Sequence, residues 1–304
     1  MTSIRNKEAS KLPLRIRLLG SFEVTRPGRR RAEALEGRKA QELISLLLLL
    51  PAQERSRDAV VETLWPGAPP ETGRKQIRQA LWHIHQAVDV DLTDSQRLVI
   101  ADADHLAINH DRELWCDAVE FSRTLERLDV RGTEIDLNDH LERALDLYRG
   151  PLLDGCYSEW CLVERERLEG LYLSALDAAS VMAEARLDYE MAVHWASALL
   201  RVDPAHERSH RRLMLLYYGM DDRTRAIRQF DRCRHALESE LGIRPSARTV
   251  ALVDAIRADV EPQESPERVT VLQSHSETPA VLRELSALRR AVEDLRQSLL
   301  ERLA

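Results

Sequence analysis

Glycine and aromatic residues are scarce in this chain. Of 304 residues, 11 are Gly and 5% are Phe, Trp or Tyr. A composition led by Leu, Ala, Arg and Glu favours helix over an all-β fold. Cysteine is scarcer still. Cys116, Cys156, Cys161 and Cys233 form no C-x-x-C pair, and with ten scattered His they give no zinc-ligand spacing. They read as reduced core residues of a cytoplasmic protein. The longest apolar run, residues 43–50, is far below the ~18 residues of a membrane span and too late for a signal peptide. A G-x(4)-G-K phosphate loop is absent, as are G-x-S-x-G, H-E-x-x-H and any catalytic Cys/His spacing. The chain therefore reads as a non-enzyme with no cofactor and no metal site.

What is present is concentrated in residues 37–112, which follow the order of a winged helix-turn-helix. Residues 37–50 (GRKAQELISLLLLL) read as a first helix and residues 56–65 (SRDAVVETLW), with Ser56 as cap, as a second. Residues 71–88 (ETGRKQIRQALWHIHQAV) read as a third. Two short β runs, residues 98–100 and 106–108, enclose ADADH and form the expected wing. Ahead of these, LRIRLL (14–19) alternates as a half-buried strand, Gly20-Ser21 turns it, and residues 22–25 pair back into a small antiparallel sheet.

The third helix carries the chemistry. At 100° per residue, Ile77, Leu81, Ile84 and Val88 fall within about 60° of one another and form a buried face. Lys75, Gln79, Trp82 and Gln86 lie opposite, with Arg78 and His83 on the flanks. Arg and Lys donate to guanine or phosphate, and Gln pairs bidentately with adenine. Trp82 either stacks on sugar or base or is covered by a neighbouring domain, and cover is the expectation. Arg38 and Lys39 at a helix start, and Arg57 after Ser56, suit phosphate contacts. Arg97 at the wing suits a minor groove. Charge fits this division. Residues 1–112 hold 18 Lys and Arg against 15 Asp and Glu, whereas residues 113–304 hold 26 against 36.

From about residue 113 the texture is helix after helix: 139–148, 159–185, 188–202, 206–219, 222–241 and a last helix capped by Ser246 and running to about Val260. A period of 34 aligns Ala192 with Ala226, Val193 with Ile227, Asp188 with Asp222 and Ala183 with Tyr217. That is the tetratricopeptide length, although a plain bundle would satisfy the helices alone. His206 and His210 are expected to face solvent. Residues 261–279, with three Pro, read as a linker. Beyond it Val281, Leu285, Leu288, Val292, Leu295 and Leu299 follow the 4-3 spacing of a coiled-coil seam, which favours a homodimer over a surface helix packed on the solenoid.

The expected architecture is therefore mainly α: a winged helix-turn-helix with small β-sheets (14–112), a tetratricopeptide-like α-solenoid (113–260), a linker (261–279) and a coiled-coil helix (280–304).

This text resembles the SARP-type bacterial transcriptional activators. The resemblance lies in LRIRLLGSFEV (14–24), RKAQELISLLLLL (38–50), SRDAVVETLWP (56–66) and RKQIRQAL (74–81), then LYRGPLL (147–153), ERLEGLYLSALDAA (166–179) and LESELGIRPS (237–246). It implies an OmpR-like winged helix joined to a bacterial transcriptional activation domain, binding to repeats in double-stranded DNA near promoters, and recruitment of RNA polymerase. It further implies that Lys75, Arg78, Gln79 and His83 read bases and that Arg38, Arg57 and Arg74 hold phosphates. Two departures stand out. His83, His85 and Gln86 replace the Arg-rich text usual late in this helix. Asp104-His105 replaces a Gly-Tyr in the wing, and Asp102 adds a second acid there. The first implies weak phosphate attraction or binding that tightens at mildly acidic pH. The second implies either that the wing does not dip into a groove or that DNA affinity relies on dimerisation. The competing reading is a protein-interaction adaptor that has lost DNA binding.

Overall fold

The computed structural model describes residues 13–26, 35–50, 54–90, 92–127 and 134–260. The linker 261–279 and the expected coiled coil with Leu285, Leu288, Val292, Leu295 and Leu299 lie outside the described residues. The described chain is mainly helical and divides into two compact units. One runs to Thr124 and takes in Asp146–Glu169; the other holds Leu125–Leu145 and the described residues from Gly170 onward.

In the first unit, β1 (Leu14–Arg17) pairs antiparallel with β2 (Glu23–Thr25), as the alternation of LRIRLL predicts. The sheet is not purely antiparallel, however. β6 (Leu114–Cys116) adds to the other edge of β1 in parallel, Leu14 opposite Leu114. Asp117 follows β6 and fixes this join. Its buried carboxylate accepts the backbone N–H groups of Leu18 at 2.7 Å and Leu19 at 3.2 Å, and also that of its neighbour Ala118 at the start of helix α4 (Asp117–Arg127). Burial pushes that carboxyl up, against the pull of the three N–H donors.

Between these strands lie α1 (Arg38–Leu49), α2 (Arg57–Leu64) and α3 (Pro70–Val88). Helix α1 is buried around most of its girth, with Leu43, Ile44 and Leu46 fully enclosed. Helix α2 starts where Ser56 accepts the N–H of Ala59. The apolar stripe of α3 packs inward as its 3.6-residue period requires, with Ile77 and Ile84 fully buried. Gly73 lets α3 approach α2, since a Cβ there would sit 2.4 Å from Val61 Cγ1. A second sheet follows in the order β3 (Arg55–Ser56), β5 (His105–Ile108), β4 (Val99–Ala101), all antiparallel.

The second unit stacks α5 (Glu134–Leu147), the rest of α6 (Glu159–Ala185), α7 (Tyr189–Val202), α8 (Glu207–Gly219), α9 (Arg223–Leu241) and α10 (Ala247–Ala258). The period of 34 recurs in backbone geometry. Leu187 and Asp221 both have φ 62°. Asp188 and Asp222 cap α7 and α9 by accepting from Met191 and Arg225. Their own N–H groups reach Ala183 O at 2.9 Å and Tyr217 O at 2.8 Å. Ala192 and Ala226 are fully buried in one core with Leu213, Met214 and Phe230. Gly242 ends α9 in the left-handed conformation and Ser246 caps α10.

His206 and His210 correct the expectation of solvent exposure. His206 is the N-cap of α8, and its Nδ1 accepts from Ser209. His210 is buried, with Gln229 Nε2 donating to its Nδ1 at 2.8 Å and its Nε2 meeting Pro204 O at 2.9 Å. An i, i+4 spacing on a helix says which face they share, not whether that face is inside.

Candidate nucleic-acid interface

Helix α3 exposes Arg74, Lys75, Arg78, Gln79, Trp82 and Gln86 opposite its buried stripe. Lys75, Arg78 and Gln79 thus share one exposed side, as their spacing predicts. His83 does not join them fully. It is half-buried, its ring set edge-on to Trp82 at 5.0 Å and facing Gly37, where a Cβ would sit 3.5 Å away. Trp82, expected to be covered, is 57% exposed.

His85 turns away from the exposed face. Its Nδ1 lies 2.7 Å from Asp89 Oδ2. Asp89 is buried and also takes the N–H of Leu98 at 3.1 Å and Arg112 Nη1 at 2.5 Å, while Arg112 Nη2 donates to Val88 O. This network fastens the C-terminus of α3 to the start of β4. Sequence reading missed it, because Asp89 and Arg112 look like ordinary solvated charges and their meeting is set by the fold.

The hairpin β4–β5 stands beside α2. Arg57 N–H donates to Asp104 O at 2.7 Å and Arg57 Nε to Asp102 O at 3.0 Å. Asp102 shapes the turn itself, accepting Asp104 N–H at 2.8 Å and His105 N–H at 2.7 Å. Those backbone donors hold its carboxyl below the usual range. The acid that sets this chain apart in the hairpin is therefore a turn-builder. Arg97 is partly exposed and pairs with Asp94 at 2.6 Å.

At the start of α1, Arg38 and Lys39 part company. Arg38 is exposed. Lys39 Nζ lies 2.9 Å from Glu42 Oε2 and 3.3 Å from Ser158 Oγ. Glu42 is buried, and its Oε2 also takes Ser158 Oγ at 2.7 Å and Trp160 Nε1 at 3.3 Å. Lys39 is thus turned towards an internal carboxylate and is poorly placed for phosphate. The segment it meets is pinned in turn by Arg165, whose guanidinium donates to the carbonyls of Leu152, Leu153 and Cys156. A carboxylate inside the apolar text of residues 38–50 is the one sequence signal that pointed to this network.

Residues 116–257 match the family described as the bacterial transcriptional activator domain. The chain is similar to the transcriptional regulatory protein MoaR1 of Mycobacterium tuberculosis, 24% identical over 76% of each chain. It is also similar to the regulatory protein DnrI of Streptomyces peucetius, 28% identical over 73% of this chain and 85% of that one. Among solved structures, Mycobacterium tuberculosis EmbR in complex with a low-affinity phosphopeptide superposes with TM-score 0.60 over 92% of this chain and 71% of that chain. At 18% identity that likeness concerns the fold alone. The match to the bacterial transcriptional activator domain thus takes in the described helices from Asp117 to Arg257. Over about three quarters of its length the chain is similar to these regulatory proteins.

Proposed function

We propose that this protein is a sequence-specific DNA-binding transcription regulator of the cytoplasm, an activator that binds promoter repeats and recruits RNA polymerase. In this reading α1–α3 with the β4–β5 hairpin are a winged helix-turn-helix, and the helices of the second unit are a tetratricopeptide-like array. The DNA-reading part is residues 14–112, carried in a compact unit that also includes 113–124 and 146–169. Lys75, Arg78, Gln79 and the edge of His83 read bases. Arg38, Arg57, Arg74 and Arg97 hold phosphates, with Lys39 left to its internal ion pair. A C-terminal coiled coil through Leu285, Leu288, Val292, Leu295 and Leu299 makes the homodimer.

The observation that carries this reading is the exposed cationic and amide side of α3 beside a hairpin, in a chain with an activator domain. Such a helix supplies direct base readout while the flanking arginines supply register. The test is pull-down of genomic fragments by the full chain beside a Lys75→Ala/Arg78→Ala/Gln79→Ala variant. Enrichment of a few promoters sharing a repeat, lost in the variant, is expected. No enrichment at low salt, at pH 6 or pH 7.5, would leave the adaptor reading instead.

A further inference from the structure

We propose that Trp82 is a specificity-determining residue of this surface, reading thymine methyl groups in the major groove. The inference rests on the proposal that α3 reads DNA. Trp82 lies three residues from Gln79, four from Arg78 and Gln86 and seven from Lys75, so it stands on their side of the helix. Ile77, Leu81 and Ile84 occupy the other side and are buried. An indole left 57% exposed among cationic and amide groups forgoes burial that a large aromatic ordinarily obtains. Its setting is also fixed from one side. The His83 ring meets it edge-on at 5.0 Å, with the planes at 74°, and His83 itself rests near Gly37.

The surface thus presents one apolar plate within a polar field. In the major groove the base edges present one apolar group, the C5-methyl of thymine. Gln79 and Gln86, one turn to either side of Trp82, carry the amides that pair with adenine. An A·T-containing step satisfies the amides and the indole together, whereas a G·C pair offers the indole nothing apolar. Trp82 therefore selects thymine at one or two operator positions.

The experiment uses the full chain and an operator recovered by selection from random duplexes. Each thymine is replaced in turn by deoxyuridine, which loses the methyl and keeps the pairing edge. At one or two positions this substitution is expected to weaken wild-type binding about four-fold, the worth of one buried methyl. Trp82→Gln should bind both duplexes alike, and Trp82→Phe should keep part of the difference. Lys75→Ala should weaken every duplex and keep the difference. The exposed site tolerates these changes, which an unshifted melting temperature would verify. A wild type indifferent to every deoxyuridine, or a Trp82→Gln variant as sensitive as the wild type, overturns the thymine assignment while leaving DNA reading intact. Failure to select any operator overturns both.

Discussion

Single residues set how closely α3 approaches its support. Gly73 on α3 faces Val61 on α2, and the 2.4 Å that an added Cβ would leave to Val61 Cγ1 is too short for two carbons. Gly73→Ala gains about 1 kcal/mol of helix propensity. Against that stand about 1–3 kcal/mol of overpacking and a displaced α3. The variant is expected to be less stable, by up to about 2 kcal/mol, in chemical denaturation. Val61→Ala in the same chain should restore most of the loss, because the two sites couple through one contact. Additive effects of the two changes would contradict the account. Glu42 has the opposite character. It is a charge within a buried helix, tolerated because Lys39, Ser158 and Trp160 supply donors to one oxygen.

At the scale of elements, polar side chains fasten one piece of secondary structure to the next. Asp89 joins α3 to β4 by taking Leu98 N–H, Arg112 and His85. Asp89→Ala leaves the part-buried Arg112 guanidinium without its carboxylate, holding only Val88 O, and the Leu98 N–H without an acceptor, and a loss of about 3 kcal/mol is expected in equilibrium unfolding. Asp89→Asn, which keeps an acceptor, should lose less. Glu207 plays the corresponding part between α8 and α10, accepting Ser246 N–H at 2.8 Å and Ser246 Oγ at 2.7 Å as well as the Thr249 hydroxyl.

The histidines of α8 give this unit a pH dependence. Burial pulls both His206 and His210 below the ordinary value of 6.5, against Asp203 and Asp177 beside His206 and the Pro204 and Gln229 bonds of His210. As pH falls, the unfolded chain binds these protons first. Their contribution is full above about pH 6.5 and drains as pH falls below it. The melting temperature is expected to drop between pH 7.5 and 5.5, with a shallower drop in His210→Gln. An equal drop in both would remove His210 from the account. Asp102 acts in the same direction, but only as pH falls below its ordinary 3.8.

What was legible in the sequence follows from range. The helices α1–α3 and the spacing of 34 were readable because caps and apolar stripes are local signals. Ser56, Asp188, Asp222 and Ser246 cap the helices whose starts they mark. The parallel strand β6 was not readable. It is three residues long, and its partner β1 lies about a hundred residues earlier. The same distance hid the Glu42 network with Ser158 and Trp160, and the anchoring of Leu18 by Asp117. On α3 the periodicity gave the exposed side of Lys75, Arg78 and Gln79, whereas the inward turn of His85 required knowing where Asp89 stands.

For the whole molecule, the charge available to DNA in the proposed complex is smaller than the basic residue count implies. Residues 1–112 exceed neutrality by only three positive charges, and the rest of the chain carries ten more acids than bases. Lys39 is spent on Glu42, and His85 lies against Asp89. Arg38, Arg57 and Arg74 then remain as phosphate partners in the proposed complex, joined by Arg97, which exchanges its solvent-exposed partner Asp94 for a phosphate. Each neutralised phosphate on duplex DNA contributes about −0.9 to the slope of log K against log salt. Four contacts give a slope near −3.6 for one copy, and two copies side by side about twice that. Arg74→Ala should flatten the slope by about 0.9 for each bound copy while leaving the preferred sequence unchanged, because phosphate contacts set register and carry no base information. Lys39→Ala separates charge from position. It removes the same formal charge one residue from Arg38, yet its ammonium already sits on an internal carboxylate. The slope should therefore stay at the wild-type value while stability falls, as read by fluorescence anisotropy across a salt series and by thermal melting. A flattened slope in Lys39→Ala would return Lys39 to the phosphate set and show that the Glu42 pair opens on DNA.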